Sequence, residues 1–568
     1  MATTAHEGKA AGRLSYAFTP VGAVIVVPVV ALLMLALPLR LPIGAMYWDV
    51  FVYVDAAQRI FNGQIPSIDF FGPIGPLGYY LFAAGLKFFP DAQPLLLAQW
   101  SMLPVTVPAM ALVVRETARR SGAEAWALAL PFLAFSLLPI NTQDFSLYPG
   151  VDGFGTYNRH GSEMLYVLAS ALVFVRDRRT LTVILSILLP ALFLSKITAF
   201  AVGGLVVAFA FAAGRIPLRS AVIVAAVFFV VIGALEYATG MITGYVGDIL
   251  LLLGENSGTL VSRFVTVASQ YFDVLAAAGL IVLLLFLSGL RRWRGDVRAS
   301  LRSPSAWPAL LDRDWAWLAV LAAAGAIFET QNTGSQAFIL IWPALLAVIA
   351  GPDVFGERLR AALALLIAIA VLPTAVHFVH KAVRAAAAQP GNTRLDHENL
   401  RNLGSITAKD IFFEQAAADR AYFQSHEAGF LTGPAADPTS YRPFSDIDFQ
   451  LLWLQSIDEA TAAIRAEENK RNLRFDTIQS VDFVNPFPWL LDRTAPRYAS
   501  LGAVPERTAH ALNDAMAAEL AATDLVVVPK CTATALSAKL FDLYADGFAG
   551  HARIALTPCY DAYLRPGL

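Results

Sequence analysis

Charge is scarce in this chain: 15% of its 568 residues are Asp, Glu, Lys or Arg, against 57% hydrophobic residues, and mean hydropathy is +0.56. A soluble multidomain protein needs more solvated surface than that, so the composition excludes one and points to a polytopic membrane protein. Net basic charge is also lacking. A formal net charge of −2 and a pI near 6.5 leave no electrostatic footprint for nucleic acid. Walker and zinc spacings are absent too, so ATP is not expected as a direct partner. Cysteine is nearly absent, with Cys531 and Cys559 the whole set.

What is present in excess is apolar residues, in repeated blocks of roughly 17–25 residues, the length that crosses a hydrocarbon core as a helix. Helices satisfy their own backbone in lipid, so the expected class is an α-helical polytopic membrane protein. Spans are expected near 18–39, 93–114, 125–140, 162–175, 181–194, 197–213, 221–235, 274–290, 315–328, 338–350 and 361–379, about eleven in all. Lys9 and Arg13 precede the first block, which is too long for a signal peptide and lacks a small-residue cleavage pattern, so a retained span is expected.

Placing the N-terminus in the cytoplasm puts Arg115, Arg119 and Arg120, then Arg176, Arg178 and Arg179, then Arg215 and Arg219, on that side. Arg291, Arg292, Arg294, Arg358 and Arg360 follow suit. An odd number of spans then sends everything after Lys381 outside, to the periplasm of a cell whose inner membrane holds the spans. Segment 75–89 is apolar, but as a span it would put the Arg115–Arg120 cluster outside. It reads instead as an amphipathic helix on the outer interface, with Pro73 and Pro76 setting its start.

The expected organisation is a transmembrane domain over 1–380, with a first outer loop at 41–90, and an extracytoplasmic α/β domain over 395–568. In the latter, helices are expected at 457–472, 508–521 and 534–546, and strands at 477–484, 524–529 and 553–557, forming a partly parallel sheet. No glycine-rich phosphate loop follows these strands, which argues against nucleotide binding there. Each cysteine lies just past an expected strand. A right-handed crossover between neighbouring parallel strands would bring their α-carbons about 5 Å apart, within disulfide range, and two buried free thiols are the alternative.

The outer loops carry the chemistry. Asp49, Asp55 and Asp69 stand among Trp48, Tyr53, Phe70, Phe71, Tyr79 and Tyr80. Carboxylates partly desolvated at a membrane surface have raised pKa values and suit proton abstraction from a hydroxyl, although loop acids also cap helices or face water. In the second outer loop, 141–161, Arg159 and His160 form a candidate clamp for a lipid phosphate, beside Tyr157 and Asn158; the alternative is an arginine that snorkels and a histidine that caps. Lys196 stands between two apolar runs, and an ionisable residue at that depth is a candidate phosphate contact. Glu329, Gln331, Asn332 and Gln336 make a polar loop that either bonds sugar hydroxyls or simply connects two helices. The aromatic, proline-rich turn 482–489 either stacks on a sugar or packs the outer domain onto the membrane part.

The order Trp48-Asp49, Tyr53, Ala57, Gly63, Pro66, Asp69-Phe70 and Gly75-Pro76-Leu77 with Tyr79-Tyr80 resembles the first extracytoplasmic loop of GT-C superfamily glycosyltransferases. Protein O-mannosyltransferases and the lipid A aminoarabinose transferase belong to that group. The resemblance implies a polyprenyl-phosphate sugar donor and an aspartate general base, which by motif position is Asp49. It also implies that Lys196 faces the donor phosphate and that the acceptor is an extracytoplasmic glycan, lipid or protein at the bilayer surface. Relatives often carry Asp-Glu where this chain has Asp49-Val50, which leaves Asp55 and Asp69 as substitutes for the base. A divalent metal is the one cofactor candidate, and the missing second acid speaks against it. The expected function is an inverting glycosyltransferase with Asp49, Asp55 or Asp69 as base, Arg159, His160 and Lys196 on the donor phosphate, and Tyr53, Tyr157, Asn158, Glu329, Gln331 and Asn332 on substrate. A lipid-glycan flippase and a non-catalytic scaffold of the same fold are the alternatives.

Overall fold

The computed structural model describes residues 19–72, 74–256, 260–300, 307–331, 333–351, 356–425, 446–505, 507–531 and 535–568. Each of the eleven apolar segments lies on a helix or a broken pair of helices. Arg178–Ser195, Leu218–Thr239, Phe272–Arg298 and Glu357–Gly391 are long and apolar enough to cross a membrane. The pair Pro94–Trp100 and Leu103–Ala118, bent by 43°, makes a fifth crossing if it is one span, and Pro20–Met34, Gly122–Leu137, Ile197–Ala212 and Ile339–Ala350 are shorter apolar helices. Leu218–Thr239 buries only Val224 while Val222, Ile223, Phe229 and Val230 point outward. A helix apolar on all faces yet unpacked on most of them needs lipid around it, and the chain is a helical membrane protein.

The helix expected at the outer interface spans Pro76–Phe88, with Pro76 at its first turn; Pro73 lies outside the described residues. Its start is tied down by Gly75, whose N–H donates to Ser195 O at 2.9 Å and whose missing side chain lets it approach Leu194 O, which a Cβ would meet at 2.2 Å. That contact sets the loop 41–90 against the break between Arg178–Ser195 and Ile197–Ala212. Asp49–Phe61, the other helix of the loop, is buried along Val50–Arg59. Tyr53 meets Tyr79 on one side at 5.8 Å between ring centres, and Phe51 meets Trp453 on the other at 4.7 Å.

The C-terminal part of the chain therefore packs directly on the first loop, and one continuous apolar core joins them. Strand β1 (Leu41–Pro42) pairs in parallel with β3 (Ile406–Ala408), whose other edge takes β2 (Thr393–Arg394) antiparallel. Further on, β4 (Ile478–Ser480), β5 (Leu525–Pro529), β6 (Ala552–Thr557) and β7 (Tyr560–Leu564) form a sheet of order β4-β5-β7-β6. Only β4 and β5 are parallel; β7 runs antiparallel to both its neighbours. The sequence expectation lacked β7. The helix expected at 508–521 begins at Asp514, where the Asn513 side chain accepts from Met516 N, and the one expected at 457–472 begins ten residues earlier, at Ile447.

Cys531 and Cys559 are joined by a disulfide, with α-carbons 4.5 Å apart. The route differs from the expected crossover between parallel neighbours. Cys531 follows β5, Cys559 sits in the β6–β7 turn, and the antiparallel register Pro529↔Tyr560 sets them side by side. Closing a loop of this length restricts the unfolded chain, so the Cys531→Ser, Cys559→Ser double variant is expected to lose about 3 kcal/mol. Thermal unfolding with and without reductant checks this; a midpoint that neither the variant nor reductant moves would contradict it.

Candidate functional site

Asp49 opens the helix Asp49–Phe61, so its carboxylate stands in the first turn, where backbone N–H groups favour negative charge. Its Oδ2 accepts from Gly155 N at 3.5 Å. Gly155 has φ +68°, and a Cβ there would meet Gly334 O at 2.8 Å, so glycine allows this turn to close in on Asp49. Burial pushes the Asp49 carboxyl up to about 7, with Gly155 N–H, Arg159 and Arg507 pulling the other way.

Asp49 lines a cavity of about 250 Å³ together with Tyr53, Tyr157, Asp482, Phe483 and Arg507. The Tyr53 hydroxyl is buried and has no hydrogen-bond partner among the described residues, so it is available to a ligand. Asp482 follows β4, and its carboxylate accepts from Trp453 Nε1 at 3.1 Å and Phe483 N at 2.7 Å. Burial pushes it up to about 6.

A second cavity, of about 150 Å³, is lined by Tyr157, Lys196, Asp248, Arg263, Gln331 and Arg507. Tyr157, Arg507, Ile74 and Thr508 belong to both, so the cavities adjoin. Lys196 is the single residue between Arg178–Ser195 and Ile197–Ala212. Its Nζ donates to Asn158 Oδ1 and lies 4.6 Å from the centre of the Tyr157 ring. Asn158 in turn donates to Thr333 O at 2.5 Å, which fixes the lysine's acceptor. The helix Met241–Asn256 covers this side with Asp248, Leu252 and Leu253.

Several expected site residues stand elsewhere. Arg159 and His160 are not a phosphate clamp, being 0% and 1% exposed and lining neither cavity. Arg159 donates to Gln99 Oε1 at 2.9 Å, Phe154 O at 3.0 Å, Thr156 Oγ1 at 2.9 Å and the Asp152 carbonyl, and His160 Nε2 contacts Gln99 O at 3.1 Å. A guanidinium so bound organises the second loop and has little left for a ligand. Asp69 is a turn residue: Oδ2 accepts from Ile65 N at 2.8 Å and its carbonyl from Tyr498 N at 2.6 Å. Glu329 and Gln336 are buried packing residues, bonded to Ser335 and to Ile140 O respectively, whereas Gln331 faces the second cavity. Asn332 lies outside the described residues.

Asp55 is paired with Arg59 at 2.8 Å, both almost fully buried, and Arg59 also donates to Pro496 O at 2.8 Å. This carboxylate holds the C-terminal part to the first loop and is not placed to meet substrate. Arg59→Met is expected to destabilise the protein by about 3–5 kcal/mol by stranding a buried charge, and adding Asp55→Leu to restore much of that. Thermal unfolding of the single and double variants checks it; equal losses in both would contradict the pairing.

Among the described residues no group of three His, Cys, Asp or Glu is placed to hold a metal. Val50, which follows Asp49, is buried in the apolar core. Sequence reasoning missed Asp482 and Arg507 as site residues. Asp482 lay within the aromatic turn at 482–489; nothing local distinguished Arg507.

No family model and no curated relative matches the chain. Among solved structures, the chain is similar to ArnT from Cupriavidus metallidurans in the apo state, at 12% identity and a TM-score of 0.40, over 95% of this chain and 97% of that one. It is similar to the Archaeoglobus fulgidus oligosaccharyltransferase in complex with Zn and sulfate, at 13% identity and a TM-score of 0.26, over 89% of this chain and 67% of that one. A further structure, archaeal AglB from the same organism with an inhibitory peptide and a dolichol-phosphate, matches at 12% identity and a TM-score of 0.27, over 89% and 69%. All three are GT-C superfamily glycosyltransferases. At these TM-scores the likeness carries no weight for chemistry, which rests on the residues above.

Proposed function

We propose that the protein is an inverting glycosyltransferase of a bacterial inner membrane, moving a sugar from a polyprenyl-phosphate donor to a hydroxyl of an extracytoplasmic acceptor. The carrying observation is Asp49, a half-buried residue whose carboxyl is raised to about 7, in a cavity that adjoins the one lined by Lys196. A base needs a pKa near the working pH and a position facing substrate; Asp49 lines the first of these two cavities, and Asp55 and Asp69 line neither.

Asp49 takes the proton of the acceptor hydroxyl as that oxygen attacks the anomeric carbon. The bond from that carbon to the phosphate oxygen breaks with its electron pair staying on oxygen, and polyprenyl phosphate leaves. Attack opposite the leaving group inverts the anomeric centre. The Lys196 ammonium meets the phosphate charge as it develops, and the Tyr53 hydroxyl and Gln331 amide supply hydrogen bonds to sugar or acceptor. In this reading residues 1–380 form the membrane domain with a cytoplasmic N-terminus, and 395–568 the periplasmic domain.

The test incubates purified protein with radiolabelled polyprenyl-phosphate sugars and a membrane extract. Label passing to an acceptor, with an equal amount of polyprenyl phosphate released, is the expected result. A flippase leaves the sugar–phosphate bond intact, so a donor panel that stays uncleaved would overturn the reading.

A further inference from the structure

Resting on that donor reading, we propose that Arg507, from the C-terminal part of the chain, is the guanidinium that binds the donor phosphate where the two cavities meet. A lipid phosphate needs cationic donors at its oxygens, and Arg159 and His160 are committed elsewhere. Lys196 contributes a point charge with one of its donors already given to Asn158. Arg507 lines both cavities, is exposed at their shared mouth, and its side chain makes no hydrogen bond or ion pair among the described residues. Its charge is felt by Asp49, by Tyr157 and by Lys196, which line the same two cavities.

The described residues on either side of it are tied down. Gly502 takes φ +57°, and Thr508 Oγ1 accepts from Val504 N at 2.9 Å and donates to Gly502 O at 2.5 Å. Ala503 N donates to Phe483 O at 2.9 Å, Leu501 N to Phe71 O at 3.0 Å, and Tyr498 N to Asp69 O at 2.6 Å. Two of these bonds go to the first outer loop itself. The arginine is therefore set in register with Asp49, although more than 450 residues separate them in sequence (507 against 49).

A guanidinium can take two phosphate oxygens in a bidentate fork, a geometry an ammonium cannot supply. With the phosphate held between Lys196 and Arg507, the sugar projects from the second cavity into the first, toward Asp49. An arginine left partly in water also avoids the cost of a buried unpaired charge while the donor is absent. On this assignment the C-terminal part completes the donor site.

The test titrates the full chain in detergent with sugar-free polyprenyl phosphate, and with uncharged polyprenol as the control for the tail, by tryptophan fluorescence. Arg507→Gln is expected to weaken polyprenyl phosphate binding by about tenfold or more and to leave polyprenol binding and the thermal midpoint unchanged. Arg507→Lys is expected to fall between Arg507→Gln and wild type. Wild-type affinity in Arg507→Gln, or equal weakening toward phosphate and polyprenol, would overturn the assignment while leaving the donor reading intact. A wild type that does not distinguish polyprenyl phosphate from polyprenol would overturn both.

Discussion

Asp49→Asn is expected to slow sugar transfer by about 10²–10⁴-fold, the usual contribution of a positioned general base. The substitution preserves shape and keeps an oxygen for Gly155 N, so donor binding and the fold should survive. Stability offers an independent check with a defined sign. Burial raises the folded-state pKa of Asp49 to about 7, above its ordinary carboxylate value. Its stabilising contribution is full below the unfolded pKa and is lost as pH rises through about 7. The asparagine variant has no such loss, so its stability relative to wild type should increase as pH rises from about 4 to about 7. A variant that lost transfer only because it unfolded would show a midpoint well below wild type at every pH across this range.

Lys196→Met is expected to reduce both donor affinity and the rate of transfer, the latter by about 10²-fold, because charge on the phosphate grows as the bond to the sugar breaks. The position is constrained by a one-residue break between two apolar helices, by Asn158 and by the Tyr157 ring. Methionine keeps the length and apolar stem without the ammonium, so the packing of the hairpin should be retained. Single-turnover rates at saturating donor separate the two effects. A rise in donor requirement with an unchanged saturated rate would make Lys196 a binding residue alone.

Much of the membrane part was legible because its signals are local. Apolar blocks of spanning length fell on helices, the Gly75-Pro76 start produced its helix, and Lys196 stood out as an ionisable residue between two apolar runs. Asp49 was legible as one of three acids, but its neighbours Asp55 and Asp69 could be dismissed only by seeing Arg59, Ile65 and Tyr498 around them. Arg159 misled for a related reason. An arginine beside an apolar block reads as available, whereas its partners include Gln99, sixty residues upstream (159 against 99). Asp482 and Arg507 reach the cavity through tertiary packing of the C-terminal part on the first loop, which leaves no periodic trace in sequence. β7 was missed because Tyr-Asp-Ala-Tyr-Leu buries both faces and includes Asp561, held by Lys530 and Arg553.

The most direct measurement of the central claim is the single-turnover rate of transfer against pH, for wild type and Asp49→Asn together. The account predicts a wild-type rate that falls about tenfold per pH unit below about 7, as the raised Asp49 carboxyl takes up its proton, and a low, flat residue in the variant. A wild-type rate that stays level from pH 8 down to about 5, or a variant that keeps the wild-type rate, would contradict Asp49 as the base.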